Sequence, residues 1–294
     1  MGGFMNTNQI GSWREGVTLW REVHSAVHHA PSTRQDVLTM LASFGAFVED
    51  KPPAAITRLD AERYKADMVA RGKAPGTVNR HVGYLRSVFN WWLSSELIAV
   101  NPFKGVRPMK AVRTRRPIVP LEDVKALLRH LDERGDRWYA DLVRVVINTG
   151  LRLGEALHLK VEDVVLTERV LFVRCRKEYV PKDREARIVP LNDVAAEVFE
   201  RRARSVKLGE WLFGVNGDLP CRSTVTHGLW WRSKAAGVAR MNWYQMRHAF
   251  ATRLCSEVSE AALAAIMGHV DPKITRENYQ HRAFMALRVP TVID

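Results

Sequence analysis

Three short segments in the second half of the chain contain residue types that can act on a phosphodiester. They are TGLRLGEALHL (149–159), YQMRHAFATRL (244–254) and MGHVDPKITRENYQH (267–281). An arginine in each of the first two could bind two phosphate oxygens at once, because the planar guanidinium presents paired N–H groups. A tyrosine in the third could attack the phosphorus and form a covalent bond to it. Arg152, Arg247 and Tyr279 are therefore residues whose types could act on a phosphate.

Each segment alone also has an ordinary structural explanation. Arg152 could lie on a helix surface and pair with Glu155 one turn further along. Gly268 could simply end a helix before His269, since glycine commonly follows the last helical residue. Tyr279 could pack in a core. The order of the three segments along the chain is more specific than any one of them.

The order of TG-x-R-x-x-E, R-H-x-F-A-T, GH and Y-x-H resembles the tyrosine recombinase (phage integrase) family. GTVNRHVGYLRSVFNWW, followed by NPF, resembles the core-binding module of that family more weakly. Counting back from RIVPL places the family's hairpin lysine at Lys182, with Lys177 as the alternative because the sequence does not fix the length of the turn. The resemblance implies the catalytic residues Arg152, Glu155, Lys182, Tyr244, Arg247, His269 and Tyr279, the last being the nucleophile.

The resemblance also implies the reaction. A site-specific recombinase cuts and rejoins DNA through a 3′-phosphotyrosyl intermediate, for integration, excision or resolution of DNA. Lys182 would protonate the leaving 5′ oxygen, and His269 would hydrogen-bond the phosphate. Because the covalent bond keeps the energy of the cut phosphodiester, we expect religation to need no ATP. Nothing in the sequence requires a metal, and we expect no cofactor. The expected partner is double-stranded DNA with a specific recombination site, acted on by a homotetramer that holds two duplexes.

Two features depart from the family pattern. Tyr244 stands three residues before Arg247, where the family usually has histidine. A phenol can donate a hydrogen bond to phosphate, but it is a poor proton carrier at neutral pH. The spacing from His269 to Tyr279 is ten residues, one more than the family pattern. The extra residue must be absorbed in a loop around Asp271-Pro272 or at the start of the helix that carries Tyr279. We expect activity to survive both departures.

Three other functions fit part of the sequence. A catalytically silent DNA-binding protein of the same fold would form no covalent adduct on nicked DNA. A type IB topoisomerase-like enzyme would relax DNA without exchanging strands. A metal-dependent nuclease would be inhibited by EDTA, but the sequence has no H-E-x-x-H motif.

The composition indicates a polyanionic partner. Lysine and arginine total 45 against 32 aspartates and glutamates, a formal net charge of +13 over 294 residues. Such an excess is typical of proteins that neutralise phosphates and release their condensed counterions. Three scattered cysteines without C-x-x-C spacing argue against a disulfide framework or a zinc site. The sequence lacks a signal peptide and any apolar stretch of about 18 to 20 residues, which predicts a cytoplasmic protein without membrane contact.

Periodicity predicts a mainly α-helical fold with a small antiparallel β-sheet. By resemblance, a helical core-binding domain and an α+β catalytic domain would form a C-shaped clamp on DNA. The predicted parts are a flexible lead (1–14), the core-binding domain (15–100), a basic linker (101–118), the catalytic domain (119–282) and a tail (283–294) that packs on its own domain or on a neighbouring protomer. Helices are predicted over 121–134, 137–149, 151–159, 192–205, 223–236, 245–256 and 258–267, and strands over 170–173 and 186–189.

Two regions outside the motifs are candidates for DNA contact. A long helix predicted from Thr77 has an apolar face directed inward and Arg80, His81 and Arg86 directed outward. The linker carries six positive charges and no carboxylate, so it is either a solvated tether or a strap along the DNA backbone. Its candidate contacts are Lys110, Arg113, Arg115 and Arg116.

Overall fold

The computed structural model describes residues 10–110, 119–181, 185–268 and 291–293. The chain divides into two compact units, Met1–Thr114 and Arg115–Asp294, and the first of them is helical. The helices of the first unit are α1 (Trp13–Leu19), α2 (Ala26–His28), α3 (Pro31–Phe47), α4 (Arg58–Ala70) and α5 (Pro75–Ser94), with a π-helical turn at Trp20–Ser25 and a 3₁₀ turn at Pro53–Ala55.

Proline and capping residues set where these helices begin. α3 and α5 start at Pro31 and Pro75, positions where a missing backbone N–H costs no helical hydrogen bond. α4 follows Thr57, whose hydroxyl accepts from the Asp60 backbone N–H at 3.2 Å. The Asp60 carboxylate accepts in return from the Thr57 N–H at 2.9 Å. This reciprocal pair satisfies two donors that the helix itself leaves unpaired.

An aromatic core joins the helices of the first unit. Trp20, Phe44, Tyr64, Phe89 and Trp92 are fully buried. Several of these rings meet edge to face, including Phe44 with Tyr64 at 5.0 Å and Phe89 with Trp92 at 4.8 Å between centroids. This geometry is favoured for aromatic pairs and adds to the burial of their large apolar surfaces.

Residues 101–110 pack on the first unit, so the predicted linker boundary at residue 101 is wrong. Phe103 and Val106 are buried in the aromatic core. The Asn79 side chain binds the Met109 backbone in both directions, donating to its carbonyl at 2.9 Å and accepting from its N–H at 2.7 Å. The apolar residues between the positive charges explain why this segment is packed rather than extended, because burying them outweighs the repulsion among the lysine and arginine side chains. The rest of the predicted linker, 111–118, lies outside the described residues.

A cluster of histidines lies against Trp20 and Trp91 in the first unit. The His24 ring is 4.8 Å from His28 and 5.4 Å from His29 between centroids. Burial lowers the pKa of His24 and of His29, and the positive charge of a protonated His28 lowers both further. Arg34, which donates to the Ser25 carbonyl at 3.3 Å, also lowers the pKa of His29.

We expect the first unit to lose stability as the pH falls below about 6.5. Because the folded-state pKa values of His24 and His29 are lowered, the unfolded chain binds protons first, and acid favours unfolding. Hydrogen exchange of the amides in α3, compared at pH 7 and pH 5.5 after correction for intrinsic rates, measures this. The double variant His24→Gln/His29→Gln should remove most of the pH dependence; an unchanged dependence would contradict the assignment.

The second unit combines helices with one small sheet. Its helices are α6 (Leu121–Glu133), α7 (Arg137–Thr149), α8 (Leu153–Leu157), α9 (Asp193–Ala203), α10 (Arg222–Ala235), α11 (Trp243–Leu254) and α12 (Glu260–Met267). Its strands are β1 (Val164–Val165), β2 (Val170–Val173) and β3 (Arg187–Pro190). The prediction of a mainly helical fold with a small antiparallel sheet is confirmed.

The sheet has the order β1-β2-β3, with both pairs antiparallel. Val173 is opposite Arg187, and Val170 is opposite Pro190. Sequence periodicity predicted β2 and β3 but not β1, because two residues are too few to show an alternating pattern. The predicted helix 151–159 is also shorter than expected, covering only Leu153–Leu157.

α7 forms the centre of the core of the second unit. Leu142, Val143, Val145, Val146 and Ile147 are all fully buried. The helix packs against α6, α9 and α11, so it is enclosed on several sides. Among the described residues, no helix is both long and apolar enough to cross a membrane.

Residues 291–293 pack on the same unit. Val292 and Ile293 are buried in its core. The Asn148 side chain accepts from the Val292 N–H at 2.9 Å and donates to the Ile293 carbonyl at 3.0 Å. Asn192 donates to the same Asn148 oxygen at 2.9 Å. The described residues of the predicted tail therefore pack on their own unit, which is one of the two alternatives predicted for this segment.

Candidate active site

Glu155 lies at the centre of a cluster of arginines. Its side chain is 0% exposed. Arg152, immediately before α8, donates from its backbone N–H to Glu155 Oε2 at 2.8 Å and from Nη1 to Oε1 at 3.0 Å. Arg187, the first residue of β3, donates from Nη1 to Oε1 at 2.9 Å and from Nη2 to Oε2 at 2.6 Å. One carboxylate thus orients two guanidiniums from different elements.

The Glu155 carboxyl is ionised in this cluster. Burial by itself would raise its pKa. The hydrogen bonds and charge of Arg187, with the Arg152 backbone N–H and the charge of Arg247, outweigh burial and lower the pKa below its ordinary value. Glu155 therefore acts as a fixed negative charge that balances and orients the arginines, and it is not suited to proton transfer at neutral pH.

Arg247 reaches the same cluster from α11. Its side chain is 4% exposed, and Nη1 lies 3.8 Å from Glu155 Oε2. Nη1 donates to the Gly150 carbonyl at 2.6 Å, and Nη2 donates to the Met267 carbonyl. Gly150 ends α7 with a φ of +65°, and a Cβ there would lie 2.4 Å from Phe250 Cδ1. Only glycine fits both the backbone and the space at this position.

The C-terminal end of α12 closes the cluster. Gly268 has a φ of +62° and its carbonyl accepts from Arg152 Nη2 at 3.5 Å. The Ile266 carbonyl accepts from Arg187 Nε at 2.8 Å. The first two motifs and the start of the third, up to Gly268, therefore meet in space. Three predicted residues, Lys182, His269 and Tyr279, lie outside the described residues.

Tyr244 and Lys177 are both exposed, which distinguishes them from the buried arginines. Tyr244 is 58% exposed and precedes Arg247 by one turn of α11. Lys177 lies in a tight turn closed by hydrogen bonds between the Arg176 and Tyr179 backbones at 2.8 and 3.2 Å. The participation of either residue in the reaction stays a prediction.

Tyr179 packs the hairpin against α8. Its ring stacks on His158 at 4.2 Å between centroids, and His158 Nδ1 lies 2.7 Å from the Gly154 carbonyl oxygen. Burial, followed by the negative charge of Glu155, raises the pKa of Tyr179 to about 12. Its hydroxyl therefore stays protonated at neutral pH beside the helix that carries the cluster.

Arg187 and Tyr179 are site residues that the motif comparison missed. A signal for Arg187 was present, because alternation along β3 places it on the same inward face as Val189. An arginine at a buried strand position requires a carboxylate partner. Tyr179 gave no comparable signal, since it lies in an irregular turn.

Arg86 and His81, predicted to point outward from α5, are half-buried and contact groups of the first unit, and their contact with DNA stays a prediction. Arg86 donates to the carbonyls of Phe103 at 3.1 Å and Val106 at 2.6 Å, which ties residues 101–106 to the helix. His81 Nδ1 lies 2.9 Å from the Tyr64 hydroxyl. Arg80 and Lys110 are exposed and stay candidates for DNA contact. Arg113, Arg115 and Arg116 lie outside the described residues.

Within the described ranges, no group of three histidine, cysteine, aspartate or glutamate residues is arranged to hold a metal ion. The charges at the site are those of arginines and one carboxylate. The arrangement is suited to binding an anion that brings its own negative charge, such as a phosphodiester.

A helical unit followed by an α+β unit with clustered arginines defines a class of DNA strand-transfer enzymes, the tyrosine recombinases. Residues 118–285 match the phage integrase family, and residues 18–99 match the N-terminal SAM-like domain of phage integrases. Because the first match alone spans more than half of the chain, the protein belongs to the phage integrase family, whose members carry out site-specific DNA recombination.

Named relatives and solved structures agree with this assignment. The chain is 25% identical to tyrosine recombinase XerC of Staphylococcus carnosus, over 84% of this chain and 86% of that protein. It is 24% identical to tyrosine recombinase XerD of Listeria innocua, over 80% and 82%. Its fold is similar to that of the Tn1549 transposon integrase in complex with transposon right end DNA, with a TM-score of 0.72 and 19% identity. The match covers 88% of this chain and 92% of the integrase chain. A lambda integrase tetramer bound to a Holliday junction gives a TM-score of 0.74, 15% identity and coverage of 93% and 82%.

Proposed function

We propose that this recombinase breaks and rejoins DNA by forming a 3′-phosphotyrosyl bond at Tyr279. Arg152 and Arg247 hold the scissile phosphate, His269 hydrogen-bonds it, and Lys182 protonates the leaving 5′ oxygen. The observation that carries the proposal is the Glu155 cluster, which brings the two arginines together beside the turn that precedes His269.

The cluster suits this chemistry because its cations are in place before the phosphate arrives. Arg152 is 23% exposed and Arg247 is 4% exposed, so Arg152 would meet the phosphate from the surface and Arg247 from the floor of the cluster. Phosphoryl transfer is accelerated mainly by positioning and by charges that need no rearrangement during the reaction. The fixed charge of Glu155 provides that arrangement for the arginines.

The partner in this proposal is double-stranded DNA with a specific recombination site, bound in the cytoplasm by four protomers on two duplexes. The net charge of +13 supports binding of a polyanion. The integrases of similar fold were solved on DNA, one of them as a tetramer on a Holliday junction. These likenesses support the partner and the stoichiometry by analogy.

A labelled suicide substrate tests the proposal. A nicked duplex with the cognate site, taken from DNA flanking the gene, is incubated in EDTA with the wild type, with Tyr279→Phe and with Tyr84→Phe as a matched control outside the site. We expect a covalent adduct from the wild type and the control only. An equal adduct from Tyr279→Phe would place the nucleophile elsewhere. DNA binding without an adduct from any of the three proteins would indicate a silent DNA-binding protein.

We expect the double variant Arg80→Ala/Lys110→Ala to bind DNA less tightly and with a weaker dependence on salt. Each lost phosphate contact reduces the slope of log Kobs against log salt by about 0.9, so the pair should lower it by about 2. Lys125→Ala is the control for loss of charge, because Lys125 already pairs with Glu122 at 3.1 Å. Fluorescence anisotropy over a salt series measures the slopes, and equal slopes for wild type and double variant would exclude these contacts.

A further inference from the structure

Arg187 is a buried cation that the proposed reaction does not use. Its side chain is 6% exposed. All three guanidinium nitrogens have partners: Nη1 and Nη2 donate to the two oxygens of Glu155 at 2.9 and 2.6 Å, and Nε donates to the Ile266 carbonyl at 2.8 Å. Because both terminal nitrogens bind the Glu155 carboxylate, we assign Arg187 no contact with the phosphate.

The partners of Arg187 are Glu155 in α8 and Ile266 in α12. Both elements lie next to proposed catalytic residues. Glu155 orients Arg152 by accepting from its backbone N–H and from Nη1. Ile266 lies in the last turn of α12, two residues before Gly268 and three before His269. Arg187 also packs on Gly268, where a Cβ would lie 3.2 Å from its Cδ and Nη1. The side chain therefore joins β3 to α8 and to the end of α12.

We propose that Arg187 is a positioning residue for the phosphate-binding arginines and for the C-terminal end of α12. Its fork on Glu155 fixes both carboxylate oxygens, which leaves the carboxylate a single orientation in which to hold Arg152. Its bond to the Ile266 carbonyl holds the last turn of α12, and its side chain packs against Gly268. This inference rests on the proposed function, because it assumes that Arg152 binds the scissile phosphate.

Lysine cannot take over this role. A lysine ammonium is a single point charge, whereas the guanidinium of Arg187 spans two carboxylate oxygens and a carbonyl in one plane. Arg187→Lys keeps the positive charge beside Glu155 but loses that geometry. We expect it to fold and to form the covalent adduct about 10²-fold more slowly, the loss typical of a misplacement near 1 Å.

A neutral substrate separates positioning from general loss of structure. A methylphosphonate at the scissile position has no negative charge for the arginines to neutralise. If Arg187 acts by orienting Arg152, the defect of Arg187→Lys shrinks on the methylphosphonate, as should that of Arg152→Lys. A merely structural role gives the same fold-loss on both substrates.

Arg144→Met is the matched control, because Arg144 forms a similar fork on Asp132, at 3.2 and 2.6 Å, in the same unit. It should lose stability without any difference between the substrates. Glu155→Asp, which keeps the charge and withdraws the carboxylate, serves as a second variant if Arg187→Lys does not fold. Normal cleavage by folded Arg187→Lys, or an equal loss on both substrates, would overturn the proposal. Absence of an adduct from the wild type on the phosphodiester substrate would instead refute the proposed function.

Discussion

The Arg247→Lys variant is expected to form the covalent adduct about 10²- to 10³-fold more slowly than the wild type, the usual effect of losing one preorganised donor in a buried site. Arg247 is almost completely buried and uses its two terminal nitrogens on the carbonyls of Gly150 and Met267. A lysine ammonium cannot reach both carbonyls from one position and also face a phosphate. The expected defect is therefore in the rate of attack, with DNA affinity changed much less.

Single-turnover quench measurements at saturating DNA check this expectation. Arg253→Lys is the control on the same helix, because Arg253 is exposed and pairs with Glu257 at 3.4 Å on the surface. The control should react at the wild-type rate. Equal rates for all three proteins would show that Arg247 does not act on the phosphate.

Glu155→Gln is expected to lower the free energy of unfolding by about 3 to 5 kcal/mol at neutral pH, the range for removing one partner of a buried ion pair. The neutral amide leaves Arg187 and Arg247 as buried positive charges without their counter-ion, and its NH₂ group faces other donors. Urea unfolding at pH 7 measures the loss. Glu200→Gln, which breaks an exposed pair with Arg204, should cost less than about 1 kcal/mol.

The same variant should alter the acid side of the stability profile. The folded-state pKa of Glu155 is lowered, so its contribution is present above its unfolded pKa, about 4.3, and is lost as the pH falls from there toward the folded value. The wild type therefore loses more stability than Glu155→Gln between pH 5 and acid pH. Parallel profiles for the two proteins would show that this carboxyl is not held ionised by the arginines.

The parts of the fold that could be predicted are those that rest on local patterns. α7 was predicted over 137–149 because its apolar residues recur with helical spacing and Gly150 marks its end. Strands β2 and β3 have short apolar runs on either side of a charged turn. Arg152, Glu155 and Arg247 were found because each lies in a recognisable motif.

The parts that could not be predicted depend on contacts between distant residues. Val23 and Val27 share helical spacing with Trp20, yet they are 56% and 76% exposed. The π-helical turn Trp20–Ser25 changes the rotation per residue, so an apolar face drawn at 3.6 residues per turn no longer meets the core. Arg86 looked like a surface cation, because nothing local shows that residues 101–106 return to cover it. Alternation along β3 could show that Arg187 is buried, but it could not identify its partner Glu155, which lies 32 positions away in the sequence.

The hydrogen bonds of Asn148 have a consequence for synthesis of the chain. Asn148 leaves the ribosome 145 residues before Ile293, whose carbonyl it binds. At a synthesis rate of about 5 to 20 residues per second, roughly 7 to 30 s pass between the synthesis of Asn148 and that of Ile293. Residues 10–110 are synthesised before Asn148, and collapse of a chain of that size takes well under a second. The first unit therefore has many seconds in which to fold before Val292 and Ile293 can complete the core of the second unit.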